Sequence, residues 1–332
     1  MPSPSRYSRR SILKVPAAFW AVAATGAAFD ALSQTARHVS LVVPVPAGGG
    51  MDATARLIAE QVRDALGTVI VENKPGAALR VGLYAVRGAA ADGNTLVYTA
   101  VSPFTIYPHV YKKLGFDPDA DFVPVVPAVS FDFALAVPGS SAISTLAEYI
   151  DAARKDPERN GLYAVPGAGT SVHFAGAALA LATGANLKHV PYKGSAPAMQ
   201  DLIGGHVPAC MNVLGEFLPY RGTGKVKVLA TTGATRSPLM PDVPTFAELG
   251  FKGLVLNEQF GIFAPAKTPA AAVQKINAAV AAAVQKPDVV RRLAELGYTT
   301  LPFGATEFAA KLKADRAAWG PIVKSTGFTL DE

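Results

Sequence analysis

The chain has 332 residues, 50% of them hydrophobic and 17% charged, a composition that suits a globular protein of two domains and excludes a disordered one. Its formal net charge is +6, but half of that excess lies in residues 1–33, and the remaining Lys and Arg are scattered, which excludes the basic stripe of a nucleic-acid binder. Cys210, the only cysteine, can form no intramolecular disulfide; its apolar setting, Val207–Val213, marks it as core rather than as a nucleophile.

The first segment carries Arg6, Arg9, Arg10 and Lys14 against Asp30. Ser8-Arg9-Arg10-Ser11-Ile12-Leu13-Lys14 resembles the twin-arginine export motif. The apolar stretch Val15–Phe29 comes next, and then Ala31-Leu32-Ser33 places small residues at the two positions a signal peptidase reads. Pro16 and Asp30 leave the apolar run too short to span a membrane. Residues 1–33 are therefore expected to be a cleavable export signal, cut before Gln34, that delivers the protein to the periplasm. The general secretory route and an uncleaved anchor are the alternatives, and the absence of a cysteine near the cut argues against a lipoprotein.

Leu41–Arg56, LVVPVPAGGGMDATAR, is the stretch around which the rest of the chain is organised. Leu41-Val42-Val43 reads as a buried strand that Pro44 and Pro46 terminate. Gly48-Gly49-Gly50 can take φ > 0 and lets a ligand approach the backbone. From Asp52 an amphipathic helix is predicted, with Ala55, Leu57, Ile58, Val62 and Leu66 on one face. Such a strand–glycine turn–helix start presents backbone N–H groups and a positive dipole end to an anion. It serves equally as a plain tight turn, with Asp52 as a cap and partner of Arg56. With no Lys-Ser/Thr after the glycines and no G-x-G-x-x-G spacing, the two common nucleotide motifs are excluded.

Further along, Thr68–Val71 is a predicted strand, Glu72–Gly76 a loop, Ala77–Ala90 a helix and Thr95–Ala100 a strand, an alternation expected of a parallel βαβ sheet. The acidic turn Phe116–Phe122 and the proline-containing Val123–Val129 precede a second series opening at Phe133–Val137. Thr145 with Glu148 predicts a capping box for a helix over Leu146–Arg154, and Thr245 with Glu248 another box. Leu162–Val165, Pro166-Gly167-Ala168-Gly169-Thr170-Ser171 and a helix over Val172–Thr183 repeat the strand–glycine turn–helix pattern. Leu187–Pro191, Ala196–Ile203, Val207–Val213 and Val226–Thr231 continue the alternation, and Phe260–Ala264 is a predicted strand. Three helices close the chain, opening at Thr268-Pro269, at Pro287 and at Ala305, the last running to Trp319.

Catalytic readings fare less well. Ser171 and His173 stand two apart at a helix start, where their side chains diverge, and no G-x-S-x-G elbow exists, so a hydrolase is the weaker alternative. No His pair has metal-ligand spacing, and no cofactor motif occurs. Lys193 reads as a loop lysine at a cleft rim rather than a Schiff-base residue, and Tyr192 lines a pocket or covers a strand end. Phe104 and Tyr107 suit either an aromatic wall or the core.

Ordered motifs through the chain resemble the Bug/TctC family, the extracytoplasmic receptors of tripartite tricarboxylate transporters. These are VVPVPAGGGMDATAR (Val42–Arg56), VENKPGA (Val71–Ala77), ADGNTLVYT (Ala91–Thr99), FDPDADFVPV (Phe116–Val125) and PGAGTSVHFAG (Pro166–Gly176). The later ones are HVPYKGSAPAMQDLIGGHV (His189–Val207), KVLATTGATRSPLMPDVPTFAELG (Lys227–Gly250) and GIFAPAKTP (Gly261–Pro269). The resemblance implies an α/β, two-lobed periplasmic binding protein fold of type II-like form. Each lobe would be a mostly parallel sheet flanked by helices, with the ligand cleft between lobes: residues 34–130 plus 257–332 in one, 131–256 in the other. It implies a non-enzymatic, monomeric receptor without cofactor or metal that closes on a small carboxylate and delivers it to a membrane permease, or else senses it without one. The implied ligand-binding residues are Ala47, Gly48, Gly49, Gly50, Met51, Asp52, Arg80, Ser102, Gly167, Ala168, Gly169, Thr170, Ser171, Tyr192 and Lys193.

The chain departs from the family pattern at several of these places. Met51 stands where Thr or Ser is usual, Val165 where Ser is common, and Gln259 where Trp is usual. Pro75–Gly82 lacks two customary glycines and gains Arg80, either a bidentate clamp for a second carboxylate or a surface arginine. Arg80 suits a second anion, whereas Met51 and the nearby aromatics suit an apolar or aromatic acid.

Overall fold

A computed structural model describes residues 38–301 and 303–331; the expected export signal lies outside them. The apolar run begun at Val39 forms strand β1 (Val39–Val43), parallel to β2 (Val69–Asn73) and β3 (Thr95–Ala100). Helix α1 (Gly50–Gln61) joins the first pair and α2 (Arg80–Arg87) the second. The chain continues through β4 (Phe122–Pro138), α3 (Leu146–Lys155), β5 (Leu162–Val165), α4 (Ser171–Thr183) and β6 (Lys188–Pro191). Then come α5 (Ser195–Ile203), β7 (Cys210–Val213), β8 (Val226–Thr231) and β9 (Asn257–Pro265). It closes with α6 (Ala270–Val284), α7 (Pro287–Glu295), β10 (Thr299–Thr300) and α8 (Ala305–Thr326).

The sheet order is β2-β1-β3-β9-β4-β7-β5-β6, with β8 and β10 also paired to β4. β2-β1-β3 and β7-β5-β6 supply the expected parallel runs. Antiparallel pairing enters through the long strands: β9 lies between β3 and β4, opposed to both, while β7 and β8 oppose the far end of β4. The result is one mixed sheet flanked by helices. One apolar cluster runs along it from Val39 and Leu41 through Phe133 and Tyr163 to Leu293, burying the faces that β-branched and aromatic residues create.

Several predicted elements need correction. Val123–Val129 is not a break before a new strand, because β4 is continuous from Phe122 to Pro138. Its register shifts between Pro124 and Val126 and again between Pro127 and Val129, so bulges absorb prolines that cannot donate to the ladder. The helix expected over Ala77–Ala90 is only α2, because Ala77, Ala78 and Leu79 take positive φ (44, 51 and 72°) and form a left-handed turn ahead of it. α1 starts at Gly50 rather than Asp52, capped by Gly49 without a side-chain bond. α6 starts at Ala270, with Pro269 and not Thr268 in the cap position, and α8 runs on past Trp319 and Pro321 to Thr326. The Thr145–Glu148 box caps α3 as expected. The reciprocal Thr245–Glu248 bonds also form, but over a turn.

Candidate functional site

Two strand-to-helix turns stand at the carboxyl ends of β1 and β5, where ligands of open α/β sheets bind. In the first, Pro46–Gly49 is exposed, while Met51 and Asp52 are buried at the start of α1. Met51 joins the main core cluster. Asp52 Oδ2 accepts from the Gly48 N–H (2.9 Å) and from Arg56 Nε (2.9 Å), and Oδ1 accepts from Asn73 Nδ2 (2.9 Å). Burial acts to raise the Asp52 pKa, but these donors outweigh it and hold the carboxyl at about 2. Asn73 Nδ2 also reaches the Val45 carbonyl (3.1 Å), fastening the end of β2 to the turn. The first turn thus contains its own anion, and the Gly48 N–H expected to meet a ligand is already engaged.

The second turn is tied down in the same manner. Thr170 caps α4, its hydroxyl accepting from the His173 N–H (3.3 Å) and donating to the Gly167 carbonyl (2.8 Å). The Gly169 N–H donates to His173 Nδ1 (3.2 Å). Burial, together with His189, whose tilted ring lies 3.7 Å away centroid to centroid, lowers the His173 pKa to about 3, which keeps that acceptor neutral. Ser171 Oγ donates to Glu258 Oε2 (2.5 Å). Ser171 and His173 therefore serve different partners, and no nucleophile–base pair is assembled.

Glu258 is a residue that sequence reasoning missed. It sits on β9 opposite Phe131 of β4, is 4% exposed, and has its pKa pushed up to about 7 by burial against the lowering effects of Ser171 and neighbouring backbone N–H groups. The signal available was the polar triplet Asn257-Glu258-Gln259 opening an otherwise apolar strand.

Arg80 is buried (9% exposed) rather than pointing to solvent. Its Nε donates to the Ala77 carbonyl (3.0 Å), and its guanidinium lies 4.3 Å from the ring centroid of Tyr111. Gly82, two residues on, packs against Pro44 at the mouth of the first turn, where an added Cβ would stand 2.8 Å from Pro44. Val110, next to Tyr111, approaches Gly169 of the second turn, and the bridge from Tyr111 to Leu330 reinforces that contact. Arg80 is thus linked on one side to the first turn and on the other to the second.

Ser102 is buried at the head of the short helix Ser102–Thr105, and Phe104 and Tyr107 are core residues rather than walls. The Tyr192 hydroxyl donates to Asp201 (2.6 Å), while Lys193 is exposed. Burial, with the nearby Glu216, pushes the Cys210 thiol up to about 12, an inert core cysteine. Among the described residues no group of three His, Cys, Asp or Glu could hold a metal, and no helix is long and apolar enough to cross a membrane. A concavity of about 290 Å³ between Leu146, Ile150, Arg154, Thr183, Leu249 and Phe251 contains none of the turn residues.

A family model described as "Tripartite tricarboxylate transporter family receptor" matches residues 54–328. The chain belongs to this receptor family. A protein of Pseudomonas sp. strain P51, the UPF0065 protein of the tcbD–tcbE intergenic region, is 35% identical to this receptor over 290 residues, 86% of this chain and 85% of that one. Among solved structures, R. palustris Rpa4515, determined with adipate, superposes with a TM-score of 0.82 at 31% identity, covering 89% of this chain and 99% of that one. The periplasmic binding protein BugD superposes with a TM-score of 0.78 at 32% identity, covering 89% and 99%. These likenesses place the receptor among periplasmic, non-catalytic solute-binding proteins.

Proposed function

We propose that this receptor captures a small carboxylate between two lobes, 34–130 plus 257–332 and 131–256, and closes over it. The observation that carries the reading is the pair of strand–glycine turn–helix starts, one in each proposed lobe, at the carboxyl ends of β1 and β5. The likeness to a protein solved with adipate supports the ligand class. Ala47, Gly49 and Gly50 on one side and Gly167, Ala168 and Thr170 on the other offer backbone amides to the ligand, with Ser102, Tyr192 and Lys193 at the periphery. Because Gly48 and Gly169 already donate to Asp52 and His173, their part is to hold the two turns in shape. Contact with both lobes stabilises the closed form, which a membrane permease of the tripartite tricarboxylate type then unloads.

The test is thermal unfolding of the chain from Gln34 against mono-, di- and tricarboxylates, amino acids and aromatic acids. A ligand at 100 times its Kd adds about 2.7 kcal/mol to the folded state, a clear rise in Tm. The expected result is a rise with one class of carboxylic acid. No rise across the panel, in protein that native mass spectrometry shows to carry no small molecule, overturns the reading.

A further inference from the structure

The surroundings of Arg80 combine three features that each cost free energy. The residue is nine-tenths buried, yet no carboxylate lies within ion-pair distance of its guanidinium among the described residues; its polar contacts are the Ala77 carbonyl and the face of Tyr111. A buried cation without a counter-ion is strongly disfavoured. Arg80 also occupies the first position of α2, whose first turn contains no acidic residue, so the cation stands at the positive end of a helix dipole. Finally, it is delivered there by three successive non-glycine residues with positive φ, a conformation that L side chains disfavour. An anion at the guanidinium would relieve the first two of these and justify the third.

The nearby carboxyl of Glu258 does not supply it. Glu258 and Arg80 both influence the hydroxyl of Tyr107, but the two are not ion-paired, and Glu258 is turned to Ser171. Burial raises its pKa, which favours the neutral form of that carboxyl.

Resting on the carboxylate-receptor reading, we propose that Arg80, buried over the ring of Tyr111, is a second anion subsite, and that the ligand is a dicarboxylate. One carboxylate meets the backbone amides of the turns, and the other pairs with the Nη1 and Nη2 edge of Arg80, which makes no hydrogen bond among the described residues. The guanidinium lies over the Tyr111 ring, 4.3 Å from its centroid, and its forked Nη edge suits a planar, bidentate partner better than a point charge.

The experiment is calorimetric titration at pH 7 with succinate, glutarate and adipate, each paired with its monomethyl ester, which keeps one carboxylate and neutralises the other. In the unaltered protein the preferred diacid should bind on the order of 10- to 100-fold more tightly than its ester. Arg80→Gln should reduce that ratio to about twofold by weakening the diacid alone, and Arg80→Lys should fall between. An independent readout needs no variant: the Arg80 Nε resonance, assigned by isotope labelling, should shift with the diacid and not with the ester. Equal affinity for diacid and ester, an unchanged ratio in Arg80→Gln, or an unmoved Nε resonance each overturns the subsite and leaves the receptor reading intact. Binding of no acid at all removes that reading and the subsite with it.

Discussion

Two buried carboxyls in this receptor are displaced in opposite directions, and each yields a pH signature. Asp52 is held at about 2, below its ordinary 3.8, so its contribution is present above pH 3.8 and is lost as pH falls through 2. Asp52→Asn should therefore cost about 2 kcal/mol in urea unfolding at pH 7, and the difference from the unaltered protein should shrink toward pH 2. Glu258 is the reverse case: near 7 in the fold against an ordinary 4.5, it binds its proton more tightly when folded. That contribution is full below pH 4.5 and is lost as pH rises through 7, a fall of about 3 kcal/mol that Glu258→Gln should abolish. Asp132, raised by burial to about 6, adds a slope of its own in both proteins, so the difference between variant and parent at pH 5 and pH 8 is the quantity to measure. At this scale the sequence was legible in part. The Asp52–Arg56 pair came directly from its i,i+4 spacing, whereas Glu258 meets Ser171 across 87 residues of chain, a contact that no local spacing encodes.

Among the elements, the loop before α2 shows best what propensity can and cannot reveal. Alanine favours helix, so Ala77–Leu79 reads as the first turn of one, yet tertiary packing twists it left-handed: Gly82 must sit against Pro44, and Lys74 N–H must reach the Val43 carbonyl. Ala78 is exposed with a φ of 51°, so Ala78→Gly should raise stability by about 0.5–1 kcal/mol, read as a shift in denaturation midpoint at constant m. The same change should weaken diacid binding, because a looser turn presents Arg80 less firmly. β4 went unread for a related reason. Pro124 and Pro127 are strand breakers in isolation, and only the bulged pairing with β9, which lies more than a hundred residues ahead, makes room for them. By contrast, β8, α3 and α5 were legible almost to the residue, since their apolar patterns, and the capping box of α3, are local.

For the molecule as a whole, ordered motifs identified the family where composition could say only that the chain was globular. The seam that carries Arg80 also holds a natural reporter. Trp319 belongs to the same buried cluster as Tyr107, Tyr111 and Phe174, and Tyr111 is the ring over which the guanidinium lies. A chain beginning at Gln34 contains no other tryptophan. Its fluorescence should change in intensity or wavelength when a diacid is added, saturating at the calorimetric Kd, and Arg80→Gln should abolish the change.

The position of β9 has a consequence for how the receptor is made. β9 is the strand that separates β3 from β4, but it is synthesised about 120 residues after β4 ends and more than 150 after β3 closes. Until then the edges of β3 and of the first part of β4 have nothing to pair with, and open apolar edges invite pairing between chains. Completion of the sheet around β3 and the first part of β4 must therefore wait for nearly the whole polypeptide, and such non-local pairing is intrinsically slow. The delay suits threading of the Val39–Pro138 region through a secretory pore, whereas a pathway that accepts only folded cargo must hold the chain back until Pro265 has emerged. Ribosome-arrested chains ending before Asn257 should be cut readily by protease, and chains extended past Pro265 should become resistant over Val39–Pro138.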